Sequence, residues 1–299
     1  MGDLFPGFSI ERIKTDRAEI FARVGGAGPP LLLLHGYPQT HHCWHKIAPA
    51  LAAEFTVVAA DLRGYGQSSA PRGDGGASTY TKRTMAADMV DVMRTLGHDS
   101  FAVAGHDRGG RVAYRLALDH PAAVTRIAVL DILPTLEVWE RVSRASTLAA
   151  YHWSFLAQPY PLPETLIATD PAYFVVHTLE GWTADRDLDS FDRDALAIYK
   201  AALEDPMRIH AVCEDYRAGA RTDPEHDAAD REAGHRIACP TLVLWGTSYV
   251  GKGAASPLDI WRSWCTDMRG AEVASGHFLA EENPQATLAA LLPFFRAIG

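Results

Sequence analysis

Cysteine is scarce in this 299-residue chain: four residues, Cys43, Cys213, Cys239 and Cys265, with no C-x-x-C pair among them. That spacing supports neither a disulfide framework nor a zinc site, and reduced thiols in a cytoplasmic protein are expected. Long apolar runs are missing too. The longest purely aliphatic stretch covers positions 31–34, whereas a membrane helix needs about 20 apolar residues. The opening MGDLFPGFSIERIK has no charged start followed by an apolar stretch, so no secretory signal is expected. Basic residues are the minority, with 28 Lys and Arg against 37 Asp and Glu and a formal charge of -9. Nucleic acid and anionic membranes call for a basic face, so neither is an expected partner. Any small anion must instead be drawn by a local basic pocket. Repeats and low-complexity tracts are also absent.

What remains is ordinary globular composition, 47% hydrophobic and 22% charged, in a chain long enough for a full core. Short apolar runs at 31–35, 56–60, 101–104, 127–130, 241–245 and 272–274 read as buried strands. Stretches 84–96 and 112–119 between them carry apolar residues at helical spacing. Strands alternating with helices predict an α/β fold with a mostly parallel central sheet. Segments 10–13 and 20–24 read as a hairpin at its edge. The rhythm breaks between about 133 and 236, where Trp, Tyr, Pro and helix-compatible stretches dominate, and resumes at Cys239-Pro240. The expected division is a core of 1–134 and 236–299 with an inserted helical cap, or lid, of 135–235.

The most informative segment is Gly105-His106-Asp107-Arg108-Gly109, which follows a strand and precedes a helix. Gly-x-nucleophile-x-Gly in that setting is the sharp turn of the α/β-hydrolase fold. Serine hydrolases place Ser at its centre; here the residue is Asp107. A carboxylate is ionised at neutral pH without help from a base and can displace a leaving group from saturated carbon, forming an ester. A plain helix-capping Asp is the competing explanation.

Two partners stand in the matching order. Asp131 follows the strand RIAVLD, and His277 lies in ASGHF after the last strand. Active sites in parallel sheets gather at the carboxyl ends of strands. In that arrangement His277 activates water and Asp131 fixes its tautomer. After TLVLWG, where many such enzymes carry the acid, no acid occurs before Asp259, which leaves Asp131 for the part. The His35-Gly36-Tyr37-Pro38 loop is placed to lend the Tyr37 N–H to an oxyanion hole together with that of Arg108. Arg108 and Arg111 share a helix face, where two guanidinium groups suit a substrate carboxylate.

With HGYPQTH (35–41), GHDRGGRV (105–112), LDILPT (130–135), YHWSFLAQP (151–159), CEDYRAG (213–219) and SGHF (275–278), the chain resembles the fluoroacetate/haloacetate dehalogenases over nearly its whole length. The resemblance implies Asp107 as nucleophile, His277 as base, Asp131 as its partner and Arg108 with Arg111 as carboxylate clamp. It further implies His152, Trp153 and Tyr216 as donors to the departing halide, Trp182 as a pocket wall, a homodimer and no cofactor. Departures from the family pattern are Gly110 where Ala is expected, Arg63 where Pro is common, and the stretch 247–256.

The function so predicted is hydrolysis of a small haloacid. The nearest rival is an epoxide hydrolase, which shares the Asp nucleophile and uses two lid tyrosines, here Tyr151 and Tyr216. A haloalkane dehalogenase would not need two arginines, and a non-catalytic receptor would not need the Asp–His–Asp set. His35, His41, His42 and His45 cluster in sequence, with His41 and His45 at a spacing that metal sites use, but no metal site is expected there. The acidic run 185–194 reads as a solvated lid surface.

Overall fold

The computed structural model describes residues 2–73, 78–250 and 255–297. Its centre is an eight-stranded sheet in the order β1-β2-β4-β3-β5-β6-β7-β8. The strands are β1 Ser9–Lys14, β2 Glu19–Gly25, β3 Pro30–Leu34, β4 Thr56–Ala60, β5 Phe101–His106, β6 Val124–Leu130, β7 Thr241–Gly246 and β8 Met268–Val273. β1 and β2 form the expected antiparallel hairpin, β2 pairs antiparallel with β4, and the pairs from β4 to β8 are parallel.

Leu31 to Leu34 are all fully buried, because both faces of the sheet are covered. Leu32 and Leu34 join Val58, Val103, Val129 and Val243 on one face, while Leu31 and Leu33 join Val57, Ala104, Leu130 and Leu244 on the other. Burying one such side chain contributes about 1.5–3 kcal/mol. The last strand departs from expectation. The run 272–274 marks only the end of β8, which begins at Met268. Its burial pattern is mostly intermediate to exposed, as an edge strand allows, so no continuous apolar run announced it.

Helices α1 Ala48–Ala52, α2 Lys82–Thr95 and α3 Arg108–Asp119 come first in the chain. Eight more then lie between β6 and β7: α4 Thr135–Glu140, α5 Arg144–Ala149, α6 Tyr151–Leu156, α7 Leu162–Ile167, α8 Pro171–Trp182, α9 Arg193–Ala201, α10 Pro206–Ala220 and α11 Thr222–Ala233. The chain closes with α12 Pro257–Trp261, α13 Leu279–Glu282 and α14 Pro284–Arg296. No described helix is long and apolar enough to cross a membrane.

Helix α3 packs on β5, β6 and α2 and is buried from Arg108 to Ala117. Its polar face, which the amphipathic pattern would leave in water, is covered by the inserted helices. Arg115 bonds to Asp227 of α11 at 2.6 Å, and the Tyr114 hydroxyl donates to the same carboxylate at 2.8 Å. The Leu136 amide of α4 also donates to Asp227, at 3.1 Å. One acid thus ties α3, α4 and α11 together.

The turn from β5 into α3 leaves no room at Gly109, where a Cβ would fall 2.4 Å from the carbonyl oxygens of Leu34 and His35. Those contacts are backbone and cannot swing aside. Gly109→Ala is therefore expected to destabilise the fold by about 1–3 kcal/mol. Denaturant unfolding measures this, and a stability equal to that of the parent chain would contradict the packing described.

Candidate active site

Asp107 sits in the turn between β5 and α3, at φ 46° and ψ -116°. A residue with a Cβ adopts such a conformation only under strain, and strain of this kind collects at functional sites. Its side chain makes no capping bond to α3, which removes the helix-cap explanation. Instead Oδ1 accepts the Tyr37 N–H at 2.8 Å, and Oδ2 lies 3.7 Å from Nε2 of His277. Gly36 makes this approach possible, since a Cβ there would fall 2.4 Å from that of Asp107. His35 holds the loop: Nδ1–H donates to the Gly36 carbonyl at 2.9 Å and Nε2 accepts the Leu62 amide at 3.1 Å. Among the clustered histidines, His41 turns its Nδ1 to Asp61 at 2.9 Å.

The second link is shorter. His277 Nδ1–H donates to Oδ2 of Asp131 at 2.6 Å, while Oδ1 of Asp131 accepts the Gly246 amide at 2.8 Å. Asp131 follows β6 directly with φ at 54°. Asp107, Asp131 and His277 are 6%, 1% and 2% exposed. Three residues from three strand ends therefore form one buried line, Asp107–His277–Asp131.

The His277 loop is braced from several sides. Glu282 accepts the amides of Gly276, Phe278 and Ala184, each at 2.8 Å. The His277 N–H donates to the Trp182 carbonyl at 2.8 Å, which joins this loop to the end of α8. His106 lies with its ring 4.5 Å from that of His277 and donates from Nε2 to the His277 carbonyl at 2.7 Å.

Burial pushes the Asp107 carboxyl up, but His277 and Arg108 outweigh it and hold it well below the usual carboxylate range. Burial pushes the His277 imidazole down, yet its contacts with Asp107 and Asp131 lift it to about 9. The resting site thus holds an ionised Asp107 facing an imidazolium. His106 is pushed down to about 3, chiefly by burial, and stays neutral.

Arg108 and Arg111 both reach the site from α3, but unequally. Arg108 donates from Nε and Nη2 to the Asp215 carboxylate of α10 at 2.9 and 2.6 Å, and from Nη2 to the Asp215 carbonyl at 2.8 Å. Only Nη1 of Arg108 is therefore left without a partner. Arg111 donates to the Leu133 carbonyl at 2.9 Å and to the Thr135 hydroxyl at 3.1 Å, both neutral. The guanidinium carbons stand over aromatic rings, Arg111 4.4 Å from the Trp153 centroid and Arg108 4.3 Å from that of Tyr216.

The remaining expected residues surround this group. His152 packs on Trp182 with ring centroids 4.4 Å apart, and Tyr216 lies 5.5 Å from Tyr37 and 5.7 Å from His152. Trp153 lies 6.0 Å from Tyr216. Trp182 stands edge-on to His277 at 5.3 Å. Burial pushes His152 down to about 3. Buried atoms with no hydrogen-bond partner gather here: His152 Nδ1, the Tyr216 hydroxyl, Arg108 Nη1, Arg111 Nε and His277 Nε2. Native interiors rarely leave such groups unsatisfied, and a cluster of them marks a place for a polar ligand.

Asp215, Glu282, His106 and Tyr249 escaped the sequence reading as site residues. Asp215 and His106 lie inside quoted motifs, EDYRAG and GHDRG, but nothing in their spacing points to Arg108 or the His277 loop. Tyr249 lays its ring 4.5 Å from that of His277. It belongs to the stretch 247–256, of which 251–254 lie outside the described residues.

The α/β hydrolase fold family matches residues 29–284. The chain is 44% identical over 291 residues to a fluoroacetate dehalogenase of Burkholderia sp, covering 97% of this chain and 95% of that protein. It is 32% identical over 272 residues to a soluble epoxide hydrolase of Corynebacterium sp. (strain C12), covering 90% and 91%. Among solved structures, an α/β hydrolase from Nostoc sp PCC 7120 superposes with a TM-score of 0.95 at 48% identity, covering 98% of this chain and 99% of that one. Whole-length identity and the Asp-centred turn agree: the chain belongs to the fluoroacetate/haloacetate dehalogenase family of α/β hydrolases.

Proposed function

We propose that this chain is a hydrolytic dehalogenase that converts a haloacetate, fluoroacetate foremost, to glycolate and halide. The observation that carries the reading is the set of unpartnered buried polar atoms beside an ionised Asp107: Arg108 Nη1, Arg111 Nε, His152 Nδ1 and the Tyr216 hydroxyl. A haloacetate has an anionic end for the arginines and a halogen for the aromatic donors. Fluoride, the most compact halide, gains most from converging hydrogen bonds.

In this reading Arg108 and Arg111 hold the carboxylate while Asp107 attacks the α-carbon from the side opposite the halogen. Oδ1 is gripped by the Tyr37 amide, so Oδ2 attacks. The new C–O bond forms as the carbon–halogen bond breaks, and its electron pair leaves with the halide toward His152, Trp153 and Tyr216. Esterification removes the charge of Asp107, and with it one of the contacts that lifts His277 to about 9. The imidazole can then shed its proton and act as a base. It takes a proton from water, which attacks the ester carbonyl, and the oxyanion forms at the oxygen facing the Tyr37 N–H. Collapse expels glycolate, which takes the proton from His277. The acid proton left on Asp107 then moves to His277, restoring the carboxylate and the imidazolium, so one proton is released per turnover. Asp131 keeps Nδ1 protonated throughout. The helices of 135–235 serve as a lid that carries the halide donors and excludes water.

The epoxide hydrolase alternative needs two lid tyrosines aimed at Asp107. Tyr216 is buried beside the site, but Tyr151 is 38% exposed.

Halide release from fluoro- and chloroacetate, read by ion-selective electrode, is the expected activity; diol from styrene oxide with no halide release would decide for the rival. One turnover in ¹⁸O-water is expected to label Asp107 and not the first glycolate formed. Label in that glycolate would mean direct attack by water. His277→Ala is expected to release halide once and retain the ester, visible by intact mass; halide release with no adduct would remove His277 from the second step. Asp107→Asn is expected to bring the His277 titration midpoint down from about 9, because a negative neighbour is lost. An unmoved midpoint in ring NMR would contradict the coupling.

A further inference from the structure

We infer that Asp215 is a positioning residue: it grips two of the three guanidinium nitrogens of Arg108 and leaves Nη1 as the donor offered to the substrate carboxylate. The inference rests on the haloacetate reading above. Arg108 is fully buried, and its bonds to Asp215 come from Nε and Nη2. The guanidinium face lies over Tyr216 at 4.3 Å, which blocks tilting. Behind it, a Cβ at Gly219 would stand 3.0 Å from Nη2, so the chain leaves little space there.

Asp215 is itself held. The Tyr65 hydroxyl donates to its Oδ2 at 2.7 Å, and Lys82 forms an ion pair with its Oδ1. Lys82 is anchored in turn, with its amide donating to Asp223 at 2.9 Å. The result is a buried tripod from α2, α10 and the loop after β4. Arg111 has no such counter-charge; its two bonds are to neutral oxygens. The two arginines therefore divide the work. Arg111 brings uncompensated positive charge, whereas Arg108, its charge offset in part by an Asp215 shared with Lys82, brings direction.

This division predicts a result that plain structural damage would not give. Freed from Asp215, Arg108 regains full charge but loses its aim, so anions bind more tightly and react more slowly. The test compares Asp215→Asn and the milder Tyr65→Phe with the unaltered enzyme on chloroacetate and its neutral counterpart chloroacetamide, with glycolate binding measured by calorimetry. In Asp215→Asn, kcat on chloroacetate is expected to fall about tenfold or more while KM holds or falls. Glycolate is expected to bind about fivefold more tightly, because the counter-charge is gone. Turnover of chloroacetamide stays within about threefold, since no carboxylate needs aligning. Tyr65→Phe keeps every charge and is expected to lose about two- to fivefold on chloroacetate alone. If Asp215→Asn does not fold, Tyr65→Phe carries the comparison.

Equal losses on both substrates, or a glycolate affinity that does not rise in Asp215→Asn, overturn the inference. An unaltered enzyme that turns over neither substrate defeats the haloacetate reading, while the glycolate measurement still decides the part of Asp215. A chain that also binds no glycolate defeats both.

Discussion

A carboxylate kept ionised away from water is the constraint around which the rest of this structure is arranged. Moving such a charge into a protein costs several kcal/mol even after relaxation, and Asp107 is only 6% exposed. The compensation comes from four places: the Tyr37 amide, the His277 imidazolium, the Arg108 guanidinium and the start of helix α3. None of these is adjacent to all the others in sequence. They meet because β3, β5 and β6 are parallel neighbours whose carboxyl ends open on the same side, with β7 and β8 bringing the His277 loop alongside.

The same constraint explains helix α3. It begins directly after Asp107 and sends Arg108, Arg111, Tyr114 and Arg115 outward, where a surface helix would meet solvent. Here the inserted helices cover them and answer with acids, Asp215 from α10 and Asp227 from α11. Breaking a buried pair by removing one partner costs about 3–5 kcal/mol. The core and the inserted segment are therefore fastened by charge as well as by apolar contact. The fastening lies beside Asp107, so what holds the helices in place also orients Arg108.

Much of this was legible from sequence because the signals were local. Leu31 to Leu34 are apolar because both faces of a parallel strand are covered, and a run of four aliphatics says so directly. The turn at Asp107 was legible because only glycine fits at Gly109, and the hairpin because two short segments, 10–13 and 20–24, flank a short polar connection. Of strand β8 only the end was, since an edge strand tolerates Arg269 and Glu272 and loses its apolar mark. The burial of Arg115 was hidden as well: an arginine on an amphipathic helix reads as solvent-facing until something else covers it.

The sequence by itself determined the chemistry available: a carboxylate in a strained turn, a histidine and a second acid after later strands, two arginines one helical turn apart, and aromatic donors in the insert. Motif spacing carries such information because turns and helix faces are set by neighbours a few residues away. Tertiary structure alone decided how those groups divide their roles. Arg108 is bound to Asp215, more than a hundred positions on, and Arg111 is not; the loop that carries His277 is held by Glu282, His106 and the Trp182 carbonyl. Hydrogen bonds and Coulomb forces act over a few ångströms of space, and distance along the chain does not reveal which charges folding will bring that close.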